Sequence, residues 1–191
     1  MFAPAVLLAA VLAPGASAQT YKASFTMYGS GDSFGSPNCN TNTAACGFYT
    51  KPGYSAAVSQ DLYGAALEQA LAQRAEPAVC CLAPAHPLHS DRPADLTAGK
   101  LTIQTNSSGN KVSNAGNSIV VKVNNLCPAN GNPLCAQSST SATNQYGANV
   151  NFDTCKDSGA SAALFGNSGV GLGVGTATKV DCSQWSGTII H

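Results

Sequence analysis

The chain has 191 residues, room for one compact domain. Nine Lys/Arg balance nine Asp/Glu, and only 9% of the residues are charged, which excludes an electrostatic surface for nucleic acid or anionic lipid. A hydrophobic content of 44% excludes a disordered chain, while 19 Gly, 10 Pro and 8 Cys point to a loop-rich, disulfide-stapled fold and away from a helical bundle.

Residues 2–12 form an apolar run, followed by Pro14-Gly15 and the small-residue site Ala16-Ser17-Ala18. This pattern predicts a signal peptide over residues 1–18, cleaved after Ala18, with the domain occupying 19–191. The apolar run is too short to span a bilayer. Secretion in turn predicts disulfides among Cys39, Cys46, Cys80, Cys81, Cys127, Cys135, Cys155 and Cys182, in a pairing that spacing leaves open.

Alternation predicts a first strand over 23–28. Helical spacing and good helix formers predict a helix over 56–72, with Ser55 or Ser59 as its cap. Residues 67–99 then change character. Both Glu (Glu68, Glu76) and both Arg (Arg74, Arg92) fall there, with His86, His89, Pro77, Pro84, Pro87 and Pro93. The segment reads as a divergent surface insertion or as translated sequence that splicing normally removes, the second being preferred. Short strands follow over 101–105, 118–123, 149–153 and 174–180, separated by Gly/Asn/Ser turns. One of those turns carries the glycosylation sequon Asn106-Ser107-Ser108. Many short strands with one or two small helices predict a mainly β barrel or sandwich.

Several patterns carry little chemistry. Gly31-Asp32-Ser33-Phe34-Gly35 matches a nucleophile elbow, but a loop rich in Gly, Pro and Asn surrounds it where that motif needs a strand-to-helix turn, and His candidates for a base are poor. The glycine-rich run 169–175 fails the dinucleotide fingerprint and reads as a turn into a strand. Cys80, Cys81, His86 and His89 match none of the common zinc spacings. No metal and no cofactor are therefore expected. Outside 67–99 the acids are Asp32, Asp61, Asp153, Asp157 and Asp181, so acid–base chemistry has few candidates.

Four runs are distinctive together. They are Ala23-Ser24-Phe25-Thr26-Met27-Tyr28, Ile119–Pro128 with Gly131-Asn132, Thr143-Asn144-Gln145-Tyr146-Gly147 with Asn151-Phe152-Asp153, and Cys182-Ser183-Gln184-Trp185-Ser186-Gly187. In order and spacing they resemble fungal glycoside hydrolase family 45, especially its small, single-domain, expansin-like branch, over roughly 23–64 and 101–187. The resemblance implies a six-stranded double-psi β-barrel with an open groove for a β-glucan chain. It implies a secreted, monomeric cell-wall protein with no nucleic-acid or membrane partner, most simply an inverting endo-β-1,4-glucanase. The alternative is an expansin- or loosenin-like protein that binds and loosens the polymer without cutting it.

Residue by residue, Asp153 matches the family's general acid, with Asn151 where His is usual. The carboxylate that the larger family carries just after Thr-x-Tyr is absent from Thr26-Met27-Tyr28-Gly29-Ser30. In the expansin-like branch an Asn acting through its imidic tautomer is the proposed base. Asn132 matches it, and Asn144 matches a second Asn near the water. Asp32 is an alternative base. Asn125 stands where the branch commonly has an acid. Tyr28, Tyr146, Phe152 and Trp185 are the expected sugar contacts, Trp185 being equally readable as core. The family's Cys-Gly-x-Cys motif is missing between Gly64 and Leu101, where only Cys80-Cys81 stands.

Overall fold

The structure is a computed structural model that describes residues 19–63 and 98–191. Six strands close into a barrel in the order β1-β6-β3-β5-β4-β7. They are β1 (Thr20–Tyr28), β3 (Ser55–Ser59), β4 (Ala98–Asn106), β5 (Ser118–Cys127), β6 (Val150–Cys155) and β7 (Gly173–Val180). Two neighbouring pairs, β1/β6 and β3/β5, run parallel, and the other four pairs run antiparallel. The fold is mainly β, a six-stranded double-psi barrel, as the resemblance implied. A separate ribbon pairs β2 (Tyr49–Thr50) with β8 (Ile189–Ile190).

Alternation in the strands builds the interior. Ala23 and Phe25 of β1, Leu101 and Ile103 of β4, Val121 of β5, and Val150 and Phe152 of β6 meet in one buried cluster. Each large side chain removed from water contributes about 1.5–3 kcal/mol, which closes the barrel on a dry centre. Gly175 of β7 is required by a close approach, because a Cβ there would strike the Thr102 carbonyl of β4.

The helix expected over 56–72 is corrected. Residues 55–59 are strand β3, and of the described part of that stretch only 60–63 are helical. All five residues of β3 are buried, because the strand lies between β5 and β6 under cover on both faces. A strand covered on both sides reads as a continuous run of small apolar residues, and periodicity cannot separate that from a helix. Tertiary pairing overrides the helix propensity of Ala56 and Ala57. The other expected strands all form, β5 running four residues beyond its expected end. The run 31–35 is a turn without a flanking helix, and the glycines from 169 lead into β7.

The expected signal peptide, and nearly all of 67–99 with Cys80, Cys81, His86 and His89, lie outside the described residues. Disulfides join Cys39 to Cys155 and Cys127 to Cys135. Cys46 and Cys182 are disulfide-bonded too, and none of the described cysteines is free. Among the described residues no helix is long and apolar enough to cross a membrane.

Candidate active groove

Strand register assembles the site. Thr26 of β1 pairs with Asp153 of β6, Asp153 pairs with Ala57 of β3, and Ala57 pairs with Asn125 of β5. Cross-strand partners share a face, so these four residues form one row across four strands, opposite in direction to Phe25 and Phe152 in the core. Ala57 contributes only a methyl group between the two polar side chains. The β3/β5 register jumps at Ala56/Ala57, so Asn124 is the extra residue of a β-bulge. That bulge sets Asn125, rather than Asn124, opposite Ala57. Tyr28, two residues beyond Thr26 on the same face, packs on Ala57, Cys127 and Cys135. Its hydroxyl accepts a hydrogen bond from Asn125 Nδ2 at 3.2 Å.

Asp153 sits in this row with its Oδ1 buried and unpartnered. Burial pushes its carboxyl up to about 6, against the opposing pull of the Thr26 hydroxyl and with a smaller push from the charge of Asp32. Asp32 is the reverse case. Its Oδ1 accepts from the N–H groups of Phe34 at 3.0 Å and Ser36 at 2.9 Å, and hydrogen bonds from the Ser36 hydroxyl and backbone hold it at about 2. One carboxyl that keeps its proton thus lies within electrostatic reach of another that stays ionised, the division of states an acid–base pair needs. Asp32→Asn keeps an acceptor for the turn and removes the charge. We expect the pKa of Asp153 to fall by a fraction of a unit, moving the alkaline limb of a pH–rate profile downward, and an unmoved limb would contradict the coupling.

Asp157 is a structural acid. Burial opposes its charge, but the N–H groups of Cys39 and Ser30, at 2.9 and 3.0 Å, outweigh that and hold its pKa below the usual range. It thereby fastens the loop carrying Asp32 to the end of β6.

A line of polar side chains supports the acid from below. Asn144 Nδ2 donates to Ser24 Oγ at 2.9 Å, and Ser24 Oγ donates to Asn151 Oδ1 at 2.7 Å. Asn151 Nδ2 then donates to Thr26 Oγ1 at 3.0 Å, and the Thr26 hydroxyl acts on Asp153. Ser24 and Asn151 are fully buried and lie opposite each other in the β1/β6 register. Ser59 Oγ accepts the Asn151 N–H at 3.0 Å. Sequence reasoning missed Ser24, Thr26 and Ser59. For Ser24 and Thr26 the only trace in the sequence was the polar alternation Ser24-x-Thr26-x-Tyr28, and Ser59 left none.

The expected amides are both held by hydrogen bonds within their own turns. Asn132 caps the 3-10 turn Pro133–Cys135, its Oδ1 accepting from Leu134 N at 3.2 Å and its Nδ2 reaching Cys127 Sγ at 3.1 Å. Asn144 Oδ1 accepts from the N–H groups of Tyr146 and Ala148. Of the expected sugar contacts, only Tyr28 joins the row around Asp153. Phe152 is corrected: it is 3% exposed in the core and offers no face to a sugar. Tyr146 lines a shallow depression with Tyr21, Lys22 and Gln104, toward the start of β1. Trp185 is partly exposed, donates from Nε1 to the Tyr54 carbonyl at 2.9 Å, and carries the Lys122 ammonium 5.6 Å from its ring centroid. These contacts serve the wall of the barrel.

The six-stranded barrel is the fold of an expansin-like domain. A family model described as EXPB1-like domain 1 matches residues 23–76 and 96–187, and the chain belongs to that family. The match is interrupted over 77–95, within the segment whose composition departs from the rest. No curated protein matches the sequence. Among solved structures, the GH45 endoglucanase EG27II in complex with cellobiose is 21% identical, with a TM-score of 0.48, over 84% of this chain and 80% of that one. The β-1,4-D-endoglucanase Cel45A from the blue mussel Mytilus edulis is 20% identical, with a TM-score of 0.43, over 88% and 82%.

Proposed function

We infer that the protein is a secreted, cell-wall-directed β-glucan-active protein, and that it acts as an inverting endo-β-1,4-glucanase. The observation that carries this reading is Asp153, a buried carboxyl with an unpartnered oxygen and a pKa raised to about 6, set in a row of polar side chains on the outer face of the barrel. Such a group holds a proton in weakly acidic solution and can deliver it to a glycosidic oxygen as the C1–O bond breaks. Water attacks C1 from the opposite face, and its proton passes to the base. Asn132 is the proposed base and Asn144 the proposed holder of that water, while Asp32 offers an ionised carboxylate nearby in the electrostatic sense. Tyr28, and further along the surface Tyr146 and Trp185, are the proposed sugar contacts. The disulfides and the apolar leader over 1–18 support export.

One observation favours the second reading, wall loosening without hydrolysis. Both polar atoms of Asn132 are already engaged, Oδ1 by the N–H of Leu134 and Nδ2 by a disulfide sulfur, which holds the amide as a structural cap of its turn. Reducing-end release from barley β-glucan and swollen cellulose separates the two. We expect release by the parent protein and none by Asp153→Ala, both variants binding the polymer. Binding without release by the parent would overturn hydrolysis and leave loosening.

A further inference from the structure

The orientation of the Asn125 amide is fixed from outside the site. Its Oδ1 accepts two backbone N–H groups, from Ala45 at 2.9 Å and Leu126 at 3.0 Å. An amide nitrogen cannot accept those protons, so Nδ2 has to point the other way, toward Tyr28. There it donates to the phenolic oxygen at 3.2 Å. A hydroxyl that receives a hydrogen bond on its oxygen must send its own proton in another direction. No acceptor for the Tyr28 proton exists among the described residues, although Tyr28 is largely shielded from water and packed on Ala57 and Cys135. Burial foremost, together with the charges of Asp153 and Asp157, raises the Tyr28 pKa to about 12, so the proton stays on the ring oxygen.

We propose that Asn125 is a positioning residue that makes the Tyr28 hydroxyl a hydrogen-bond donor into the groove, where it takes a neutral oxygen acceptor of the sugar ring next to the bond facing Asp153. The inference rests on the glucan reading for the identity of that acceptor. The direction of the proton rests on hydrogen-bond geometry alone. A carboxylate at position 125 would reverse the arrangement. One of its oxygens could still accept from Ala45 and Leu126, but the other would accept the Tyr28 proton and hold it out of the groove. A polar contact to the ligand would be lost while the ring, its packing and the loop anchored at Ala45 all stayed in place.

Two readouts test this. In ligand-free protein carrying 13C-labelled tyrosine, the Tyr28 Cζ signal is identified by its disappearance in Tyr28→Phe. A phenol that donates to a carboxylate acquires phenolate character, so in Asn125→Asp the signal should move toward the phenolate position. Identical signals in the parent and Asn125→Asp would overturn the proposal. The second readout is cellotetraose affinity, measured in the Asp153→Asn background to prevent turnover. Tyr28→Phe and Asn125→Asp should each weaken binding about 5–10-fold, the worth of one hydrogen bond, and the pair together should be no worse than either alone. Unchanged affinity in Tyr28→Phe, or additive losses in the pair, would overturn the proposal even if Asn125→Asp failed to fold. Absence of cellotetraose binding before either change would instead sink the glucan reading, and the carbon signal would still decide where the hydroxyl points.

Discussion

Asp153→Asn should sharply lower the proposed hydrolysis and, above about pH 6, make the folded protein more stable than its parent. The two effects share one cause. Folding raises the carboxyl from 3.8 to about 6, so ionised Asp153 is disfavoured in the native state relative to the unfolded one. Below pH 3.8 both states are protonated and there is no cost. The cost grows as pH rises between the two values and is complete above 6, where it reaches about 3 kcal/mol at 1.36 kcal/mol per unit. The amide is isosteric and cannot ionise, so it escapes that cost. Thermal melts at pH 3 should therefore coincide, whereas at pH 8 the variant should melt roughly 5–10 °C higher. Loss of the acid should lower the rate of glucan cleavage by about 10²–10⁴-fold. A variant that melts lower at pH 8 would mean that the carboxylate is stabilised by partners rather than strained by burial.

Removing the Cys39–Cys155 disulfide should be more damaging than removing Cys127–Cys135. It links residues 116 apart, whereas Cys127–Cys135 links residues 8 apart. On chain-entropy grounds the long link contributes about 4–5 kcal/mol and the short one about 2–3 kcal/mol. Position adds to length. Cys155 ends the strand that carries Asp153, and Cys39 ends the loop that carries Asp32, with Asp157 bonded to the N–H groups of Ser30 and Cys39 at the same junction. Cys39→Ser/Cys155→Ser should accordingly lower the denaturant midpoint more than Cys127→Ser/Cys135→Ser and also bring the pKa of Asp153 down, because its cover loosens. Equal losses in the two double variants would contradict this ranking.

The barrel strands were legible wherever one face is polar or the run is rich in β-branched residues. Residues 118–123 declare a strand through Ile119, Val120, Val121 and Val123. Residues 55–59 do not, because a fully covered strand of Ser, Ala and Val carries neither alternation nor bulk, and its partners come from sequence more than sixty residues away. Asp153, the proposed acid, stood out in the sequence only through the run Asn151-Phe152-Asp153 within a wider set of motifs. Its supports did not. Ser24 and Thr26 are ordinary strand residues until parallel pairing sets them beside Asn151 and Asp153, and no local pattern encodes that register. Phe152 was misassigned although the signal lay in the sequence: in a strand that turns Asn151 and Asp153 outward, the residue between them must face the core. The bulge at Asn124 is equally nonlocal, and it decides which of two adjacent asparagines meets Tyr28.

Burial should keep Asp153 protonated in weakly acidic solution. The most direct measurement is a carboxyl 13C titration of the ligand-free protein, with the Asp153 signal assigned by its loss in Asp153→Asn. The expected midpoint lies near pH 6, well separated from that of Asp32, which should titrate near 2. A midpoint for Asp153 near 4 would contradict it, leaving a surface carboxylate in place of an acid.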